Sequence, residues 1–208
     1  MCNSLSFSHN FCESRINNND GPEYFNAVSS LFMTLIPLLI GIPNNYHFKK
    51  VSYMLIINGG CSFYYHYSLS WLGKQLDEIT MLLANYYYMN GLLNYYNDEN
   101  IINIANISNS IMLPVIISFN TIPQYDQYFV YIFSLYCFPT CIFIFDLAFK
   151  NNIFKSVIMN TTISIIGAIA WFISEHNCNY VTTYGHIIWH LCFPLGIYRI
   201  LKIYDNIE

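Results

Sequence analysis

Long apolar runs separated by short polar joints divide this chain into seven segments, each about the length that a bilayer demands. A hydrocarbon core of about 30 Å takes about 20 predominantly apolar residues in helical form. The runs fall at 24–42, 51–69, 76–93, 101–119, 128–149, 153–173 and 184–203. The pattern predicts an all-α fold, an integral membrane bundle of seven transmembrane helices. The regular apolar/polar alternation of a membrane β-barrel is absent, although runs rich in Tyr and Ile raise β-propensity locally. The joints leave no room for another folded unit. One domain is therefore read at 24–203, with a polar segment at 1–23 before it and a short tail at 204–208 after it.

Composition agrees with a membrane setting: 55% of the 208 residues are hydrophobic and 10% are charged, against roughly 25% charged in a typical soluble domain. The net charge of −4 argues against nucleic acid as a partner. The segment at 1–23 is rich in Asn and lacks the apolar core of a cleavable signal peptide, so the first span is expected to direct insertion. Basic residues set the orientation. With seven spans, Lys49, Lys50, Lys150, Lys155, Arg199 and Lys202 share one face of the membrane, and only Arg15 and Lys74 fall on the other. The N-terminus is accordingly expected to be lumenal or extracellular and the C-terminus cytosolic.

That orientation gathers polar residues at one end. The second span carries Ser62 and His66 toward its outer end, the third begins there with Asp77, and the last begins there with His186 and His190. Two histidines four residues apart share one face of a helix. Ionisable residues inside spans are expensive and are functional candidates by default. Each residue alone has a plainer reading. His66 could be a buried, hydrogen-bonded histidine, and Asp77 a helix N-terminal acid favoured by the dipole. Ser62 could be a small residue easing helix contact beside Gly59 and Gly60.

The joint arrangement is more specific. Catalytic zinc takes three protein ligands and keeps a fourth position for water, whose pKa it lowers to roughly 7. Asp77 could take a proton from that water, and Ser62 could donate to a developing oxyanion. His9, His47 and His176 fall in joints or tails, where solvated roles are expected, and Asp146 reads as a structural or interfacial charge.

Three blocks of residues resemble the alkaline ceramidases, within the wider superfamily of seven-span membrane hydrolases that includes the adiponectin and progestin receptors. Near the N-terminus these are Phe11-Cys12-Glu13 and Glu23-Tyr24-Phe25-Asn26-Ala27-Val28-Ser29-Ser30. The central block spans 59–78, with Gly59, Ser62, His66, Leu76, Asp77 and Glu78. The last runs from Trp171 through Cys178 to His186, Trp189 and His190. The resemblance implies zinc ligation by His66, His186 and His190, with Ser62 and Asp77 as catalytic residues, and hydrolysis of the ceramide amide to a sphingoid base and a fatty acid. It implies a multi-pass protein of the endoplasmic reticulum or Golgi, and a disulfide between Cys12 and Cys178, which an oxidising lumen permits. Cys61, Cys137, Cys141 and Cys192 lie in spans and read as buried free thiols.

The resemblance also implies calcium at the N-terminal block, and here the chain departs from the family. Asn10 stands where an acid is expected, Phe11 replaces Trp, and Arg15 falls near an expected Asn, while Glu13 and Glu23 are kept as calcium-ligand candidates. Calcium takes six to eight oxygen ligands and gains affinity from their charge, so a weakened site or none is expected. Glu175 stands where the family often has Asp. Two other readings compete with a ceramidase: a non-hydrolytic seven-span lipid receptor with structural zinc, and a related hydrolase that remodels other lipids. Retention of Ser62 and Asp77 beside the ligands favours an enzyme.

Overall fold

The computed structural model describes residues 11–18 and 21–207; His9 and Asn10 lie outside the described residues. Within them the chain forms eight α-helices and no strand. A short α1 (Cys12–Ile16) precedes α2 (Tyr24–Ile40), α3 (Tyr46–Ser68), α4 (Trp71–Leu93), α5 (Glu99–Asn120), α6 (Phe129–Lys150), α7 (Phe154–His176) and α8 (Gly185–Asp205). The seven long helices overlay the seven apolar runs. α1, formed inside the polar N-terminal segment, was not foreseen, because five residues carry too little periodicity to read.

α5, α6, α7 and the stretch Thr182–Asp205 are long and apolar enough to cross a membrane, and α2 is apolar but shorter. α3 and α4 are 23 residues each but are not among the spans that pass on apolarity. The residues that lower their hydropathy include Asn58, Ser62 and His66 on α3 and Lys74, Gln75, Asp77 and Glu78 on α4, several of which build the site described below. Apolar side chains at helical spacing face outward, including Ile104, Ile107 and Ile111 on α5 and Leu135, Phe138 and Ile142 on α6. In water such stripes would be costly, whereas they match hydrocarbon; the molecule fits a membrane protein.

α2 packs against α3 and α8, α3 against α4, α4 against α5 and α6, and α7 lies along α8 and also touches α6. Small residues permit the closest crossings. A Cβ on Gly59 would stand 2.3 Å from Thr34 Oγ1 of α2, and one on Gly185 would stand 2.1 Å from the Ala170 carbonyl of α7. Gly60, by contrast, meets nothing within 4 Å, so only the first glycine of the pair eases a helix contact.

The two ends of the bundle differ in chemistry. One end holds the main apolar cluster, with Ile36, Phe48, Leu92, Leu147, Val157 and Leu201 among its buried members. There Tyr204 OH donates to the Ile144 carbonyl at 2.5 Å, and the Asp205 carboxylate accepts from the Asn44 and Asn45 N–H groups. Asp146 pairs with Lys150 and accepts from Tyr96 OH at a half-exposed position. At the other end α2, α4 and α8 begin and α3 and α7 finish. α3 turns into α4 through two residues: Leu69 takes a left-handed conformation, φ 47°, and Ser70 caps α4 by accepting from Gly73 N–H. This tight reversal keeps the last turns of α3 beside the first turns of α4.

Candidate metal centre

At that second end His66, His186 and His190 converge. Their candidate ligand atoms all lie within 4.8 Å of one another, and all three residues are buried. The ring centroids are 4.9 Å apart for His66 and His186, 5.4 Å for His66 and His190, and 4.7 Å for His186 and His190. Phe11 lays its ring edge-on to His186, with centroids 4.5 Å apart, and 5.4 Å from His66, giving the cluster an apolar wall.

The outer nitrogens of two rings are already engaged. His66 Nδ1 lies 2.6 Å from Glu23 Oε2, and a carboxylate can only accept, so the imidazole donates. His190 Nδ1 lies 2.8 Å from Ser29 Oγ, whose own proton goes to the Asn26 carbonyl at 3.0 Å. The hydroxyl therefore accepts from His190. Both rings are thus held in the tautomer that protonates Nδ1 and leaves the Nε2 lone pair unshared, as metal-ligating histidines are commonly arranged. Three imidazoles, one from the end of α3 and two from the start of α8, match the donor set of a three-ligand metal site. The cluster could hold a metal ion.

Ser62 and Asp77 stand beside it. Asn58, Ser62 and His66 recur every fourth residue, forming one polar stripe along α3. The Asn58 amide donates to Asp77 Oδ1 at 2.8 Å and to the Asp77 carbonyl at 3.0 Å. Ser62 is buried one helical turn before His66. Beyond Asp77 on the same helix, the buried Lys74 pairs with Glu78 at 2.6 Å.

The N-terminal segment closes over this end. Glu13 accepts from Phe25 N–H and Asn26 N–H, each at 2.9 Å, and so caps the first turn of α2. Burial pushes its carboxyl up from the ordinary range, against the pull of those two donors. Glu23 Oε1 accepts from Ser14 Oγ at 2.5 Å, and Glu23 N–H donates to the His66 carbonyl at 2.9 Å. All four carboxylate oxygens of the two calcium candidates thus accept from protein donors. Arg15 reaches the end of α7, donating to Glu175 Oε2 at 2.9 Å and to the Glu175 carbonyl at 2.8 Å. Cys12 and Cys178 are joined by a disulfide, with Cα atoms 5.3 Å apart.

Several of these participants escaped the sequence reading. The resemblance placed Glu23 only with calcium, and the structure also sets its carboxylate 2.6 Å from His66 Nδ1. Asn58 carried a legible signal, a polar residue inside an apolar run and one turn before Ser62. Ser29 lay in the first resembling block and Glu175 at a position where the family often has Asp, but no role was read for either. A family model described as Ceramidase matches residues 5–208. No curated protein matches the chain.

Proposed function

The chain belongs to the ceramidase family, and on that premise we propose that it is a zinc-dependent intramembrane amidohydrolase cleaving ceramide to a sphingoid base and a fatty acid. The observation that carries this reading is the buried His66, His186 and His190 cluster with Ser62 and Asp77 at its side. An all-imidazole set with an open position suits zinc, which tolerates low coordination and has no redox chemistry. A zinc ion held by His66, His186 and His190 would supply Lewis-acid polarisation and lower the pKa of water.

The remaining work belongs to the chain. In the hydrolysis a water oxygen bonds to the amide carbon, the carbon–nitrogen bond breaks, and a proton passes to the departing amine. Asp77 takes the water proton on its carboxylate and returns it to that nitrogen. Asn58 fixes the carboxylate, leaving its orientation independent of substrate. Ser62 donates to the carbonyl oxygen as its charge develops. Phe11 limits water around the histidines. All seven long helices cross the membrane in this reading, with the N-terminus lumenal, the C-terminus cytosolic, and the protein in the endoplasmic reticulum or Golgi.

Purified protein in detergent is expected to release fatty acid from ceramide, measured against other lipid amides and esters. A folded, metal-loaded protein that releases none from any of them would transfer the scaffold to the lipid-receptor reading. Release from other lipids alone would transfer it to a remodelling hydrolase.

Calcium is expected to contribute little. Glu13 and Glu23 already accept hydrogen bonds from Phe25, Asn26, Ser14 and His66, and the Arg15 guanidinium lies in the same cap, where it repels a second cation. A calcium titration through the micromolar range should leave turnover unchanged. Saturable activation would mean that the N-terminal segment offers oxygens beyond these two acids.

A further inference from the structure

Each histidine of the cluster should hand its outer ring nitrogen to a protein acceptor, yet only two do. His66 Nδ1 meets Glu23 at 2.6 Å and His190 Nδ1 meets Ser29 at 2.8 Å. His186 Nδ1 is buried with no hydrogen-bond partner. The group facing it is Glu175 Oε1, 3.7 Å away, so a shift of less than about 1 Å completes a normal N–H···O bond.

Glu175 is not free to turn elsewhere. It sits at the end of α7, where Arg15 Nη2 holds its Oε2 at 2.9 Å and Cys12 N–H holds the same oxygen at 3.1 Å. The same guanidinium nitrogen donates to the Glu175 backbone carbonyl at 2.8 Å, one of the carbonyls left without a helical partner at a C-terminus. A cation there is also favoured by the α7 dipole. Glu175 Oε2 thus takes the shorter contacts from the N-terminal segment, while Oε1, which shares the Cys12 N–H at 3.4 Å, is the oxygen that faces His186. The disulfide between Cys12 and Cys178 keeps this segment and the α7–α8 joint together on either side of the carboxylate.

We propose that Glu175 is a positioning residue for the metal centre, orienting His186 through Nδ1, and that Arg15 sets Glu175 in place for that task. The inference rests on the metal reading above and extends it to the third histidine. Neither residue touches substrate. Their effect passes through the His186 ring, which a carboxylate partner makes a better donor and fixes in angle.

The test uses purified full-length protein and reads metal binding, not turnover. Zinc affinity is measured by competition with a chromogenic chelator, and the cobalt-loaded protein is measured by visible absorption. Loss of an outer partner typically costs about 10–100-fold in metal affinity. Glu175→Ala should fall in that range and shift the cobalt bands. Arg15→Ala should give a smaller loss of the same kind, and Arg15→Lys should recover part of it. Glu175→Gln, which keeps the side-chain volume, decides the matter if Glu175→Ala does not fold. It should bind more weakly than wild type with altered cobalt bands. Wild-type affinity and unchanged bands in folded Glu175 variants would overturn the proposal and leave the metal site standing. Wild-type protein that binds neither zinc nor cobalt would overturn the metal reading itself.

Discussion

His66→Ala is expected to strip the metal from the purified protein and to abolish turnover, and His190→Ala to do the same. Catalytic zinc sites take three protein ligands, and removing one of three leaves two imidazoles with no nearby histidine among the described residues to replace it. His66 carries a second duty, since its ring partners the buried Glu23 carboxylate at 2.6 Å. Truncation removes a donor that this carboxylate receives beside Ser14 and Asn26, and removing one partner of a buried charged pair costs about 3–5 kcal/mol. Loss of stability should therefore accompany loss of metal in His66→Ala more than in His190→Ala, whose lost partner is a neutral hydroxyl. Elemental analysis alongside thermal unfolding separates the two effects. About one zinc per chain in wild type and unchanged zinc in both variants would show that these histidines are not the ligands.

Asp77→Asn is expected to keep the metal and the fold while nearly eliminating turnover. The amide is isosteric and its oxygen can still accept from Asn58 Nδ2, which now holds Oδ1 at 2.8 Å. It cannot accept a proton from water. Proton transfer by a placed side chain contributes about 10²–10⁴-fold, and the variant should lose a factor in that range. Ser62→Ala should lose about 10²–10³-fold, the usual cost of one oxyanion donor, with KM changed less than kcat. The comparison that matters is between zinc-loaded variants. Equal fatty-acid release by wild type and zinc-loaded Asp77→Asn would remove Asp77 from the chemistry. Unchanged release by Ser62→Ala would leave Ser62 only its small-residue role on α3.

The helices were largely legible because long apolar runs mark them, four of them long and apolar enough among the described residues to cross a membrane. The ends of α5 and α6 fall within two residues of the apolar runs that announced them. α3 and α4 were read a few residues short at their N-termini, because Tyr46, His47, Lys49 and Lys50 are polar enough to end an apolar run and yet continue a helix capped by Asn45. The convergence of Ser62, His66, Asp77, His186 and His190 was legible for a different reason. Alternating spans place every second joint at one end, so depth can be counted without coordinates. What counting cannot give is rotation about each helix axis. Glu175 and Ser29 were at the right depth in the sequence, but only side-chain direction shows that they meet His186 and His190. The ring that Glu23 meets was hidden for the same reason: the sequence places this acid at the depth of His66, and only the structure shows it enclosed by α1 and the end of α3 with its carboxylate on that ring.

α8 donates two of the three histidines and packs against α2, which supplies Ser29 and follows Glu23. During synthesis, a ribosome has therefore delivered almost the whole polypeptide before a second ligand exists. Up to that point the nascent chain holds a single histidine of the set, together with an N-terminal cap whose cysteine partner, 166 positions later, has itself only just emerged. On the proposed metal reading, capture must wait for α8, because a chain that stops before it offers one of the three histidines. Occupancy of the centre would then report that the chain has been threaded as far as α8.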